Sequence, residues 1–195
     1  MQSPFFALVY RLRSTLRWSG MNALQSEDVA QHSFGVALIA QALCAVEQEV
    51  FHRSLPTADI LAAALLHDAS ECILTDVIAP VKKYSVEVEQ AFSHLEQVAE
   101  KQLRNTLPNA LQPMYEQWFQ RSGEVFDYVK AADKLDALCK CRQEVRRGNQ
   151  EFALAASQIE SSVRVYADRM PSVAYFIDHF LEAFDHSVDE YRYLK

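Results

Sequence analysis

The chain has 195 residues, a formal net charge of −7, and a composition that is 50% hydrophobic and 11% aromatic. That length suits one domain with a substantial core, and that composition excludes a disordered tail. The acidic balance excludes a broad nucleic-acid surface, which needs clustered Lys and Arg, but leaves room for a small anion held by a few local cations.

With only 4 glycines and 6 prolines, the chain lacks the turn residues that a sheet protein needs, so long helices are expected. Residues 4–16 place Phe5, Leu8, Val9, Leu12 and Leu16 at helical spacing. The arginines that follow and the lack of a small-residue cleavage site make this a poor signal peptide. "RWSGMNALQSEDVAQHS" (17–33) is loop-like, with a helix cap expected at Ser26 or Asp28. A second helix runs from about Val29 to Val50, with Phe34, Ala37, Leu38, Ala45 and Val46 as inward candidates.

Pro56 and Thr57 open a third helix, "TADILAAALLHDASE", and "LTDVIAPVKKY" (74–84) breaks the pattern. A long helix covers about 86–105, and Pro108 opens another to about Arg121. Ser122 or Gly123 starts a further long helix that stops at Gly148-Asn149, and two more cover 150–169 and 171–185. The terminal "DEYRYLK" reads as a charged face. No run alternates with the period of a strand, no composition shift marks a linker, and no stretch reaches the roughly 18 apolar residues of a membrane span. The expectation is a single all-α domain over 1–195, a compact helical bundle without membrane attachment. Cys44, Cys72, Cys139 and Cys141 form no CxxC pair and read as reduced thiols of a cytoplasmic protein.

Four residues have the chemistry a divalent transition metal wants: His32, the adjacent His67-Asp68, and Asp133. They lie on three separate helices, and ligands from packed helices can converge in a bundle core. Singly, each has a plain structural alternative. A histidine can be a hydrogen-bonded core residue, and Asp133 can pair with Lys130 or Lys134. The ordered set H…HD…D is far more specific than its members.

That set resembles the signature of the HD-domain metal-dependent phosphohydrolases. "RW" (17–18), "EDVAQHS" (27–33), "LLHDASE" (65–71), "TD" (75–76), "PVK" (80–82), "KAAD" (130–133), "GNQEF" (148–152) and "HSVDE" (186–190) extend the likeness to the bacterial 5′-deoxynucleotidases. The resemblance implies an HD-domain helical bundle, usually a homodimer, that removes the 5′-phosphate of deoxyribonucleoside monophosphates. It implies one divalent transition metal (Co, Mn, Zn, Ni, Fe or Cu) on His32, His67, Asp68 and Asp133. One departure stands out: where the family tends to have a Gly-Asp-Leu-Pro-Thr-Pro-like loop, this chain reads "TDVIAP" (75–80).

Phosphate monoester hydrolysis needs charge neutralisation, a positioned water and a proton for the leaving oxygen. Glu71, four residues after His67, would lie one helical turn along from the ligands, and it shares the candidacy for proton transfer with Asp76. Arg17 is the first candidate to grip the phosphate, since a guanidinium can bind two oxygens, and Lys82 is the second. Trp18 could wall off the space of a 2′-hydroxyl, by exclusion and not by a hydrogen bond. Ser33 and Ser70 are candidates for supporting hydrogen bonds. Two alternatives remain at this stage: an HD-domain hydrolase of another nucleotide or a phosphodiester, and a non-catalytic helical module that binds nucleotides.

Overall fold

The computed structural model describes residues 2–191; the last four residues of "DEYRYLK" lie outside the described range. Among the described residues there are eleven α-helices and no strand, the only β feature being an isolated bridge between Leu16 and Asp28. The helices are α1 (Phe5–Val9), α2 (Val29–Glu49), α3 (Thr57–Leu66), α4 (Glu71–Leu74), α5 (Ala79–Lys82), α6 (Val86–Arg104), α7 (Gln112–Trp118), α8 (Gly123–Arg146), α9 (Ala153–Ala167), α10 (Pro171–His179) and α11 (Val188–Tyr191). The chain is all-α, as expected.

The core forms around α8, which packs against α2, α3 and α9, while α2 also packs on α3 and α10. Val36, Ile39, Leu43, Ile60, Leu135 and Leu138 are buried at these crossings. A smaller cluster around Phe5, Leu66, Leu103 and Leu107 ties α1 and α6 to the end of α3. By length and composition alone α2 could cross a membrane. Its buried stripe and the buried His32 and Glu47 instead mark it as a core helix of the bundle.

Local signals explain the boundaries that matter. Asp28 caps α2: its carboxylate accepts from the Gln31 backbone N–H at 2.8 Å, and Gln31 Oε1 accepts from the Asp28 N–H at 3.0 Å, a reciprocal capping box. The inward face of α2 differs in part from the one expected: Val46 is buried and Ala37 packs against the core, but two candidates point outward. Phe34 and Leu38 are 67% and 57% exposed, because the helix is rotated to turn His32, Val36, Ile39, Ala40 and Leu43 inward. α7 starts at Gln112, not at Pro108, since residues 105–111 close as turns. The segment 74–84 holds the short α5 where only a break was expected.

The third helix also ends early, at Leu66. The chain then tightens into i→i+3 bonds, Ala69 N to Leu66 O at 2.9 Å and Glu71 N to Asp68 O at 3.0 Å. Glu71 therefore starts a separate short helix and is not one α-helical turn beyond His67. Expected single helices over 4–16, 150–169 and 171–185 each include a 3₁₀ segment as well, at Tyr10–Ser14, Gln150–Phe152 and Leu181–Asp185.

One buried carboxylate fixes the long loop ahead of α2. Glu144, 1% exposed on α8, accepts from the backbone N–H groups of Leu24 (2.8 Å) and Gln25 (3.1 Å), from Lys140 Nζ (2.5 Å) and from Asn149 Nδ2 (2.9 Å). Burial works against its ionisation, but these donors, Lys140 foremost, hold its pKa down at about 2 against an ordinary 4.5. A depressed carboxyl stabilises the fold above its unfolded pKa and loses that contribution as pH falls through the folded one. Glu144→Gln is therefore expected to lower the unfolding free energy at pH 7 by about 2 kcal/mol. The gap to wild type in urea titrations should narrow from pH 4.5 downward and close near pH 2. A gap independent of pH would contradict this role.

Candidate metal centre and adjoining cavity

Where α2, α3 and α8 meet, the acceptor atoms of three side chains lie within 4.8 Å of one another: His32, His67 and Asp68. His67 Nε2 is 3.2 Å from His32 Nε2 and 3.1 Å from Asp68 Oδ2, and His32 Nε2 is 3.6 Å from the same carboxylate. Asp133, from α8, brings Oδ1 to 3.3 Å from His32 Nε2. The four sequence-derived ligand candidates thus come together at one point.

The chemistry of this donor set fits a divalent ion. Each imidazole has its other nitrogen engaged, His32 Nδ1 at 2.6 Å from Asp136 Oδ2 and His67 Nδ1 at 2.8 Å from the Ala64 carbonyl oxygen. With Nδ1 donating in both rings, two Nε2 lone pairs face each other beside two carboxylates, and acceptors so packed require a cation among them. Atoms 3.1–3.6 Å apart are also at the mutual spacing expected of ligands that each lie roughly 2.1 Å from one centre.

The surrounding charges keep the acids ionised. Burial disfavours the Asp68 and Asp133 charges, yet His67 draws Asp68 well below the ordinary carboxylate range, and Lys130 does the same for Asp133. Lys130 Nζ binds Asp133 Oδ2 at 2.8 Å, which leaves Oδ1 for the centre. Burial and the Arg17 charge oppose protonation of His32, but hydrogen bonds with Asp133 and Asp136 lift it to about 9. Proton and metal ion therefore compete for Nε2.

A cavity of about 640 Å³ opens beside these residues, walled by Arg17, Trp18, His67, Asp68, Glu71, Asp76, Lys82 and Asp133 among others. Glu71 is buried, and its Oε2 has no hydrogen-bond partner. Desolvation, then the charges of Asp68 and Asp76, raise its pKa to about 8 against the pull of Lys82. Asp76 is raised as well, chiefly by burial, while Arg17 and Lys82 restrain it. Lys82 Nζ already serves Glu71 at 3.4 Å and Glu96 at 3.1 Å. Ser70 lies on the cavity wall, whereas Ser33 is buried, is not among the wall residues, and leaves its Oγ without a partner. Ser33 therefore stands behind the ligands and not on the cavity wall.

Two contributors had no role in the sequence reading. Glu27, inside the quoted "EDVAQHS", accepts from Arg17 Nη1 at 2.6 Å and from Trp18 Nε1 at 2.9 Å through one oxygen, and its carbonyl accepts from the Arg17 N–H at 2.9 Å. Trp18 itself has a left-handed backbone conformation, φ 60°, that a bulky residue adopts only under constraint. Asp136 lies three residues beyond Asp133 on α8. A signal existed for it, since a histidine ligand needs an acceptor on its far nitrogen. The altered loop carries a strain of its own: Thr75 sits at φ 63°, ψ 167°, a region almost confined to glycine and costing about 1–3 kcal/mol for other residues.

Comparisons agree with this geometry. The family model of the YfbR-like 5′-deoxynucleotidases matches residues 4–184. The 5′-deoxynucleotidase YfbR of Escherichia coli O1:K1 is 34% identical over 192 residues, covering 97% of this chain and 96% of that protein; YfbR of Shigella flexneri is equally similar. Among solved structures, an HD-domain phosphohydrolase from Listeria innocua is similar with a TM-score of 0.82 and 27% identity, covering 92% of this chain and 87% of its own. The cyanophage S-2L HD phosphohydrolase DatZ, bound to dA and one catalytic Zn²⁺ ion, shares the fold at a TM-score of 0.65 and 14% identity, covering 94% of this chain and 99% of its own.

The Glu27 arrangement can be tested without any ligand. In Glu27→Ala the Trp18 indole N–H is expected to lose its hydrogen bond, shifting its NMR resonance and exchanging faster with water, while the Trp118 indole, bound to Asp59 at 2.8 Å, stays unchanged. An unmoved Trp18 signal would contradict the arrangement.

Proposed function

The chain belongs to the YfbR-like 5′-deoxynucleotidase family, and from that membership we propose that it hydrolyses deoxyribonucleoside 5′-monophosphates to deoxynucleoside and phosphate. The observation that carries this reading is the convergence of His32, His67, Asp68 and Asp133 at the wall of a cavity that also receives Arg17, Glu71 and Asp76.

His32, His67, Asp68 and Asp133 would hold one divalent transition ion, with Co, Mn, Zn, Ni, Fe and Cu all compatible with mixed imidazole and carboxylate donors. Bound there, such an ion supplies charge neutralisation and Lewis acidity at the phosphate. The protein groups do the rest. Arg17 stays charged although burial opposes it, because Glu27 and then Asp133 compensate, and its remaining N–H groups can grip phosphate oxygens. Lys82, with Glu71 and Glu96 already on its ammonium, is the secondary cation.

Glu71 and Asp76 supply the proton handling. Both carboxyls are pushed toward the protonated form, as a group that must deliver a proton to a leaving alkoxide near neutral pH requires. Trp18 faces the cavity and favours a sugar without a 2′-hydroxyl by steric exclusion. The resemblance also supports a homodimer, checked by sedimentation velocity. The four unpaired cysteines support a reducing, cytoplasmic location, checked by fractionation.

The deciding experiment measures phosphate release from a panel of deoxy- and ribonucleoside mono- and triphosphates after chelation and re-addition of Co²⁺, Mn²⁺ or Zn²⁺. Release from deoxymonophosphates only when metal is restored is expected, with its loss in His67→Ala. Silence on every deoxymonophosphate would sink the reading, and equal turnover of ribonucleotides would remove the role of Trp18. Glu71→Gln and Asp76→Asn are each expected to lower kcat by about 10²–10⁴ with metal content unchanged; full activity in either variant removes that residue from proton transfer.

A further inference from the structure

His32 is the ligand candidate that every other one approaches, and its ring must be held from behind. Among the described residues, Nδ1 has one partner, Asp136 Oδ2, at 2.6 Å. A helical glycine, Gly35, lies three residues after His32 on α2. A glycine inside a helix costs about 1 kcal/mol relative to alanine, so its presence calls for a local reason.

The space beside Gly35 supplies one. A Cβ placed there would stand 2.0 Å from Asp136 Oδ1, 2.9 Å from its Cγ and 3.5 Å from Oδ2, and these are the three nearest heavy atoms. The Asp136 carboxylate occupies the volume that any side chain at position 35 would fill.

We propose that Gly35 and Asp136 act as one positioning pair, in which the notch at Gly35 seats the Asp136 carboxylate so that it accepts the hydrogen bond from His32 Nδ1–H and aims Nε2 at the metal. Asp136 touches neither substrate nor metal in this arrangement; it works through His32. An added methyl would force the carboxylate to shift, and its other oxygen is bonded at 2.6 Å to a ring that is itself wholly buried, so the shift comes at the expense of that bond. Displacing it would leave Nδ1 without an acceptor and free the imidazole to rotate or change tautomer. Partners of this kind typically contribute 10–100-fold to metal affinity. The proposal rests on the reading of His32 as a metal ligand.

The test uses metal affinity. Apoprotein prepared by chelation is titrated with Zn²⁺ and Co²⁺ against a chromogenic competitor, for wild type, Gly35→Ala, Asp136→Ala, Asp136→Asn and the Gly35→Ala/Asp136→Ala double variant. Each alanine variant should bind about 10–100-fold more weakly. The double variant should bind no more weakly than Asp136→Ala alone, because once the carboxylate is gone the methyl displaces nothing. Asp136→Asn, whose amide oxygen can still accept from Nδ1, should recover part of the loss. Histidine ¹⁵N NMR of the Zn²⁺-saturated proteins should show His32 protonated at Nδ1 in wild type, and that Nδ1–H signal should be lost or shifted in Asp136→Ala.

If Gly35→Ala fails to fold, Asp136→Ala, Asp136→Asn and the NMR signature still decide the role of the carboxylate. Wild-type affinity retained within twofold in Asp136→Ala overturns the proposal. Additive losses in the double variant overturn the pairing. A wild-type protein that binds neither ion overturns the metal reading itself, and this inference with it.

Discussion

The structure depends on an electrostatic problem placed at the junction of α2, α3 and α8. Two imidazole lone pairs and two carboxylates are gathered within hydrogen-bonding distance of one another among helices whose packing forms the core. Four acceptors repel unless a cation sits among them, and burial makes that repulsion larger; without the metal a proton on His32 takes that place. A cation at their centre turns the same arrangement into an attraction. The helix packing that supplies the hydrophobic core thus also holds the ligand set in place before any ion arrives.

Around that centre the charges form layers. Lys130 takes one oxygen of Asp133, Asp136 takes the back of His32, and the Ala64 carbonyl takes the back of His67. Each contact removes a rotational or tautomeric alternative. Farther out, Glu27 and Glu144 do the same for the loop ahead of α2. Glu144 ties residues 24 and 25 to α8, and Glu27 ties Arg17 and Trp18 to the start of α2. A segment with little regular structure is thereby presented as a fixed wall.

Much of this could be read from residues alone. Helical spacing and scarce Gly and Pro carried the fold class, and the ordered His32, His67-Asp68 and Asp133 carried the site, because ligand types at helix positions leave a local mark. What escaped were relations between distant positions. Asp136 matters only because α8 passes α2 at Gly35, and no local pattern encodes that crossing. The rotation of α2 that exposes Phe34 and Leu38 escaped for the same reason: the helix is apolar nearly all round, so its own periodicity does not choose the buried face. The end of α3 at Leu66 follows from tight turns that a continuous apolar run conceals.

The acidic balance of the chain is compatible with capture of an anion because of how the two cations are committed. Arg17 has five N–H donors, and its side-chain bond to Glu27 uses one nitrogen. A phosphate can therefore be gripped while Glu27 still orients the group. Lys82 has three donors and already faces two carboxylates, so a phosphate must compete with Glu71 or Glu96 for it. When Glu71 carries a proton, as its raised pKa favours, that competition weakens and Lys82 becomes available to the ligand. The protonation state suited to delivering a proton is then also the one that frees a cation for phosphate, so that binding and proton delivery draw on the same buried carboxyl.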